Sequence, residues 1–245
     1  MITAILNCYK RPEYLAEQVN ALRNQSVAPE EIWVWVNQTE ENKDFDFDKL
    51  EVDRVVVSNH NFKYHGRFAL GLLASTEYIA FFDDDTIPGA GWLSNCLSTM
   101  NETEGLLGGN GVTMEGRNYM TQKSRAGWME KTPETTEVDL VGHAWFLKRE
   151  WLGLLWAATP ISLENGEDIQ LSFFLQRFGG IKTYVPAQDT SYKSSSIKGE
   201  AYGSDDKASW LGRASENQGE FYRERQRIVD TCLSNGWKTV RGVTL

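Results

Sequence analysis

The chain has 245 residues, of which 41% are hydrophobic, so it can bury one substantial core or two small ones. Its formal net charge of −9 argues against a general binder of nucleic acids or anionic membrane surfaces. Cys8, Cys96 and Cys232 have no spacing that suits zinc or a disulfide framework. No stretch resembles a signal sequence or is long enough to cross a bilayer. We therefore expect a cytoplasmic protein with no membrane span, whose cysteines are reduced packing residues.

The first part of the chain alternates between predicted strands and helices. Pro12 suits the first position of a helix, and Leu15, Val19 and Leu22 share one helical face after it. Strands are predicted at 2–6, 32–36, 55–57 and 78–82, with helices from residue 12 onward and at 68–74. This order is typical of an α/β fold with a mostly parallel central sheet flanked by helices.

Beyond Pro88 the alternation is less regular. Residues 115–137 are polar and are predicted as a loop, and residues 188–219 are rich in Ser and Gly. No segment has the composition of a linker, so we expect a single domain spanning 1–245. The predicted elements are a helix at 92–100, strands at 106–114 and 138–147, a helix from 167 to 179, a strand at 182–185 and a helix at 221–233.

Three carboxylates follow the predicted strand 78–82 without a break. Asp83, Asp84 and Asp85 are poor strand formers and repel each other, so they mark the point where the strand leaves the core. Ligands bind at the carboxyl ends of strands in parallel α/β sheets. Side-chain alternation places Asp83 and Asp85 on one side and Asp84 on the other. Two carboxylates on one side suit a divalent cation that also binds phosphate oxygens. The alternative is an acidic surface loop.

Further polar residues are expected at the same edge of the sheet. Asn7, Tyr9 and Arg11 follow the first strand, and Asn37 follows the second. In that position they hold a nucleotide base and ribose, or they are ordinary turn and cap residues. Arg67 lies one helix before the aspartates, within reach of a base or a diphosphate. The alternative for Arg67 is a solvated charge on a helix.

A second acidic cluster opens the helix predicted at 167. Glu167 and Asp168 lie in its first turn, where the helix dipole favours acids that have no function. Glu164 is close in sequence, and crowding of the three carboxylates would raise the pKa of one of them toward the range of a general base. The two interpretations, helix capping and base chemistry, are both compatible with the sequence.

The three histidines are not predicted to be metal ligands. His60, His65 and His143 have no metal-binding spacing between them. His143 follows Gly142 on a mostly apolar strand, a context more typical of a core residue than of a ligand.

The C-terminal tract is basic although the chain as a whole is acidic. Its cations and its glycines indicate a flexible lid over an anionic ligand, and the alternative is a solubilising surface helix. The cations concerned are Lys193, Lys198, Arg213, Arg223, Arg225 and Arg227.

Taken together, these segments resemble GT-A glycosyltransferases over most of the chain. The similar segments are Tyr9-Lys10-Arg11-Pro12, residues 59–67, Phe81-Phe82-Asp83-Asp84-Asp85 and Glu167-Asp168-Ile169. The Asp-Asp-Asp strand end and the later segment Glu167-Asp168-Ile169 are together most similar to the exostosin-like group. The resemblance implies a nucleotide-binding half at 1–87, an acceptor half at 88–187, and a lid with a C-terminal helix at 188–245.

The resemblance also implies roles for individual residues. Asp85 would be the main ligand of Mn²⁺ or Mg²⁺, while Asp83 and Asp84 would hold the ribose or a metal-bound water, with Asp83 a further candidate ligand. Asp168, with Glu167 beside it, would face the reacting sugar, and Arg225 would contact the diphosphate. Many GT-A enzymes add a C-terminal histidine to the metal. No histidine follows His143 here, so that ligand is missing or replaced, with Asp189 as the candidate.

The leading hypothesis is a metal-dependent glycosyltransferase that moves a sugar from a nucleotide-sugar donor, with UDP as the expected nucleotide, to a hydroxyl of a glycan or glycoprotein acceptor. The exostosin-like resemblance implies retention of the anomeric configuration. Residues 188–219 are predicted to be mobile without ligand and to order over the diphosphate.

Two other functions are weighed against this hypothesis. A nucleotidyltransferase also uses a parallel sheet and acidic metal ligands, but residues 7–12 contain none of the glycines of a phosphate-binding loop. A non-catalytic carbohydrate-binding module would stack sugars on tryptophans. The candidates for that stacking are Trp92, Trp128, Trp145, Trp151 and Trp210.

Overall fold

The computed structural model describes residues 1–127, 132–188, 205, 207 and 218–245. Nine strands in these residues form one sheet, in the order β3-β2-β1-β4-β8-β5-β9-β7 with β6 paired to β5. The strands are β1 Ile2–Cys8, β2 Glu31–Asn37, β3 Arg54–Ser58, β4 Tyr78–Phe82, β5 Leu106–Met114, β6 Lys123–Gly127, β7 Thr136–Val138, β8 Leu140–Lys148 and β9 Thr183–Val185.

Helices cover the sheet. The α-helices are α1 Leu15–Arg23, α2 Gly66–Gly71, α3 Trp92–Glu102, α4 Glu167–Gly179 and α5 Gln218–Ser234, and short 3-10 helices lie at Pro12–Tyr14, Phe47–Lys49 and Arg149–Trp156. Pro12 occupies the first helical position, as predicted. Gly180 ends α4 in a left-handed conformation, with φ of 67°. Across the described ranges, we find no helix with the length and apolar character needed to span a membrane.

The sheet is mixed. β1 pairs in parallel with β2 and β4, and β2 with β3, whereas β8 runs antiparallel to both β4 and β5. The predicted α/β class is therefore confirmed. The prediction of a mostly parallel sheet holds only for the half of the sheet formed by β1 to β4. Because β1, β2 and β4 run in the same direction, their carboxyl ends meet at one edge, which is the edge where ligands bind in this class of fold.

Each face of the sheet carries its own hydrophobic core, because side chains of the strands alternate between the two faces. Ile5, Phe81 and Trp145 belong to one core, and Phe82 and Trp92 to the other. Both tryptophans are fully buried, so neither presents a surface on which a sugar could stack. The three cysteines are free and buried, as predicted.

The loop predicted at 115–137 is wrong in part, since it contains β6 and β7. β6 has the sequence Lys-Ser-Arg-Ala-Gly and two of its side chains are exposed. It pairs with β5 beside the main strand order. A strand with only one partner and a solvated face needs no apolar alternation, so its polar sequence resembles that of a loop.

The predicted close approach at the glycines of β5 is confirmed. A Cβ on Gly108 would lie 2.2 Å from the Cβ of Val141 on β8. We expect Gly108→Ala to lower the free energy of unfolding by about 1–3 kcal/mol, because overpacking forces the two strands apart. Gly153→Ala is the matched control, since no atom lies within 4 Å of its added Cβ. Urea unfolding of both variants measures the difference, and equal stability of the two would contradict this prediction.

Candidate active site

The three aspartates form a fixed turn where β4 ends. The backbone N–H of Asp83 donates to the carbonyl of His143 at 3.0 Å, which extends the pairing of β4 with β8 by one residue. The side-chain amide of Gln18 on α1 donates to the carbonyls of Asp83 and Thr86, at 2.7 and 2.9 Å. The turn is therefore held by both the sheet and a helix, and the carboxylates it carries have defined positions.

Arg67 joins the two acidic clusters. Its guanidinium, with 1% of the side chain exposed, donates to Asp83 and lies 3.5 Å from an Oε atom of Glu167. It also stacks over the ring of Trp145, 4.5 Å from the ring centroid. Arg67 is thus not a solvated helix charge. The partners observed are carboxylates, and its contact with a base or diphosphate stays a prediction.

Arg11 binds the other two aspartates. Its Nη1 atom lies 2.8 Å from Asp84 and 3.5 Å from Asp85, while Nε and Nη2 donate to Asp205 at 2.9 and 2.6 Å. Burial raises the pKa of Asp84, and repulsion from Asp85 adds to the shift. Burial also raises the pKa of Asp85, where the neighbouring charge is that of Asp83. A cation placed among these carboxylates would relieve their mutual repulsion.

Asp83, Asp85 and His143 form a group that fits a metal ion. One ligand atom from each residue lies within 4.8 Å of the other two. Asp83 and Asp85 therefore share a side, as alternation predicts. The set of two carboxylates and one imidazole suits a divalent cation. The expectation that His143 is a core residue and not a ligand is therefore not supported, since its imidazole lies at the aspartates.

The backbone explains the position of His143. The pairing of β8 with β5 shifts register between Gly108 and Asn110, opposite His143. His143 has φ of 66°, in the left-handed region that non-glycine residues seldom adopt. Such bulges re-aim side chains and concentrate at functional sites. Burial lowers the pKa of His143, so its imidazole is neutral near pH 7, the form that binds metals.

The second acidic cluster is buried against α5. Asp168 accepts a hydrogen bond from Nη2 of Arg225 at 2.6 Å, and the same atom donates to the hydroxyl of Tyr119 at 2.7 Å. Nη1 of Arg225 lies 3.3 Å from the side-chain oxygen of Asn165. Burial raises the pKa of Glu167, and the charge of Asp168 raises it further. Arg225 therefore holds Asp168 in this structure, and its contact with a diphosphate stays a prediction.

The strand-end residues differ in their surroundings. The side-chain oxygen of Asn7 is buried and has no hydrogen-bond partner among the described residues, which leaves it able to bind a ligand. The amide of Asn37 instead contacts the backbone of Phe62 and Lys63, at 3.1 and 3.0 Å. The carbonyl of Tyr9 accepts hydrogen bonds from the loop after β2. Asn37 and the Tyr9 backbone thus order the loops around Asn7.

Several predictions fall outside the described residues. The first is the lid predicted at 188–219, of which the structure describes only Gln188, Asp205, Lys207 and residues 218–219. The others are the predictions for Asp189, Trp128 and Trp210.

The chain belongs to glycosyl transferase family 2, whose sequence profile matches residues 3–153, more than half of its length. The matched segment contains all of β1 except its first residue, together with β2 to β4, the three aspartates and His143. None of the curated proteins compared with the sequence matches it significantly.

Solved structures share the fold. Staphylococcus aureus TarS 1-349 in complex with UDP-GlcNAc matches with a TM-score of 0.64 at 16% identity, covering 96% of this chain and 66% of that one. GalNAc-T7 with UDP, GalNAc and Mn²⁺ matches with a TM-score of 0.60 at 12% identity, covering 76% of this chain and 42% of that one. The chain therefore spans less than two thirds of these proteins. Identities this low show the fold alone.

These comparisons confirm the GT-A fold and support only part of the resemblance. The family is glycosyl transferase family 2, and the exostosin-like group is not confirmed. The expectation of retention depended on that group, so it has no further support.

Proposed function

We propose that this protein is a metal-dependent glycosyltransferase that moves a sugar from a UDP-sugar to a hydroxyl of a glycan or glycoprotein. The observation that carries the proposal is the convergence of two acidic clusters at one sheet edge, joined by the buried Arg67. Membership of glycosyl transferase family 2 supports the reaction class. Solved complexes of TarS with UDP-GlcNAc and of GalNAc-T7 with UDP and Mn²⁺ support the donor and the ion.

Asp83, Asp85 and His143 would hold the metal. Carboxylates favour Mg²⁺ or Mn²⁺, and the additional imidazole favours Mn²⁺, since nitrogen ligands bind transition metals better than Mg²⁺. When bound, the ion would neutralise the negative charge of the diphosphate, which leaves as the glycosidic bond breaks. Arg11 keeps Asp84 close to this group, where its second oxygen can accept a ribose hydroxyl.

The nucleotide would lie over the loops that follow β1 and β2. Asn7 offers a buried side-chain oxygen that no described group satisfies. A ligand N–H or O–H that donates to this oxygen would remove the cost of leaving it unpaired. Tyr9 and Asn37 contribute by fixing the loops on either side.

Asp168 would remove the proton of the acceptor hydroxyl. Its side chain forms an ion pair with the buried Arg225, which fixes the position of the carboxylate. Oδ2 binds Arg225 and Oδ1 accepts the backbone N–H of Ile169, so lone pairs remain for a substrate hydroxyl. Burial raises the pKa of Glu167 and so favours its protonated form, and its carboxyl lies 3.5 Å from the buried Arg67, so we do not assign it as the base.

His143 provides a direct test of the metal site. We expect His143→Ala to weaken Mn²⁺ binding in the presence of UDP by at least about 10- to 100-fold, since one of three protein ligands is lost. His60→Ala is the matched control, because His60 is exposed and contacts the ring of Phe62. Titration of Mn²⁺ followed by electron paramagnetic resonance measures both variants. Equal Mn²⁺ affinity of His143→Ala and wild type would show that His143 is not a metal ligand.

A further inference from the structure

Two cations on β6 border the candidate active site on the side away from the nucleotide loops. β6 pairs with β5, which lies next to β8 on the side away from β4. β1 and β2 lie on the opposite side of β4. Lys123 and Arg125 are two residues apart, so their side chains point to the same face of the strand. Val112, which pairs with Arg125, belongs to the same hydrophobic core as Ile169 of α4 and Ile228 of α5, so this face of β6 is the one covered by the helices that carry Asp168 and Arg225.

Lys123 connects to Asp168 through a continuous row of groups. Its ammonium lies 4.2 Å from the centroid of the Tyr119 ring and 5.9 Å from that of Tyr222. The hydroxyl of Tyr119 accepts a hydrogen bond from Arg225, which also binds Asp168. Lys123 therefore lies beside the groups that hold Asp168, the proposed base, and Arg125 lies on the same face of the strand.

The positive charge on this face is not balanced within the described part of the chain. Lys123 and Arg125 form no ion pair with any residue there. The nearby carboxylate of Glu115 is engaged on the opposite face of β6, with Ser124 and Arg241. Burial, together with the charges of Arg125 and Arg225, lowers the pKa of Lys123 to about 8. An anion bound here would relieve repulsion among the cations.

We infer that Lys123 and Arg125, which we call the cationic strip, bind a phosphate or carboxylate group of the acceptor. The acceptor is then an anionic glycan and not a neutral one. This inference rests on the proposed function, because it assigns the substrate class of the same site. The strip lies on the far side of β8 from the loops after β1 and β2, where we place the nucleotide, so we assign it to the acceptor.

The test compares charged and neutral acceptors in the Lys123→Gln/Arg125→Gln double variant. With a UDP-sugar donor and Mn²⁺, we expect wild type to have a lower KM for glucose 6-phosphate or glucuronate than for glucose. The double variant should raise the KM for the two anions by about 5- to 30-fold, as expected for two partly exposed ion pairs. The KM for the donor and for glucose should not change. Added salt should reduce the advantage of the anions.

The control is the Lys49→Gln/Arg23→Gln double variant, which loses one lysine and one arginine charge at exposed positions among β1 to β3, whose strands lie on the other side of β4 from β6. An equal rise in the KM for glucose and for glucose 6-phosphate in the Lys123→Gln/Arg125→Gln variant would overturn the inference. A raised KM for the donor alone would also overturn it.

A separate binding measurement distinguishes failure of the inference from failure of the proposed function. If wild type binds no UDP and transfers no sugar, the proposed function fails. Calorimetric binding of glucose 6-phosphate then decides the inference. Stronger binding by wild type than by the double variant supports the strip, and equal binding overturns it.

Discussion

Replacement of Asp168 by asparagine is expected to lower kcat for sugar transfer by about 10²–10⁴-fold, the range contributed by a general base. Asparagine keeps the size of the side chain and can still accept a hydrogen bond from Arg225, but it cannot take the proton of the acceptor hydroxyl. The affinity for UDP and metal should stay within about threefold, because binding of the leaving group does not require the base.

Glu164→Gln is the matched control for this substitution. Glu164 lies three residues before the pair and 71% of its side chain is exposed, so its loss should leave kcat within about twofold. A base that activates the acceptor opposite the leaving diphosphate predicts inversion at the anomeric carbon, which product analysis by nuclear magnetic resonance measures. An Asp168→Asn variant with kcat near that of wild type, and with intact folding, would contradict the assignment of Asp168 as the base.

The second large effect is expected for Asp85→Asn. This change removes one of the two carboxylates that would hold the cation, and with it the negative charge that favours metal binding. We expect transfer to fall on the order of 10³-fold, since the charge on the leaving diphosphate would no longer be neutralised. UDP binding should lose its dependence on Mn²⁺, which calorimetric titration measures.

Asp44→Asn controls for the loss of a negative charge. Asp44 is exposed in the loop after β2 and should give wild-type activity. Asp84→Asn is informative in a different way, because Asp84 binds Arg11 but lies outside the group of candidate ligands. It should retain Mn²⁺ binding. Metal-dependent UDP binding that survives in Asp85→Asn would show that Asp85 is not a ligand.

Features encoded by adjacent residues were predictable from the sequence. The apolar run Tyr78–Phe82 followed by charge marks the end of β4, and the two-residue period of a strand puts Asp83 and Asp85 on one side. The acids at 167 and 168 and the glycines at 179 and 180 mark the two ends of α4 in the same way. Local chemistry alone determines these features.

Features that depend on strand pairing were not predictable. His143 reaches the aspartates because β8 runs antiparallel to β4 and bulges opposite β5, and no residue near His143 in the sequence indicates either fact. Besides Asp83, Arg67 contacts Glu167, which is 100 residues further along the chain, and Arg225 binds Asp168, which is 57 residues before it. β6 was missed because an edge strand with polar side chains resembles a loop. Tyr119 lies in the loop between β5 and β6, and its partner Arg225 is 106 residues away in the sequence.

The central claim is that the sheet edge at Asp83, Asp85 and His143 binds a nucleoside diphosphate through a metal ion. Calorimetric titration of UDP into the wild-type protein, once with Mn²⁺ and once with EDTA, tests this claim most directly. The proposal predicts that UDP binds at least about 10-fold more tightly with Mn²⁺, a difference of about 1.4 kcal/mol. The same UDP affinity in Mn²⁺ and in EDTA would contradict it.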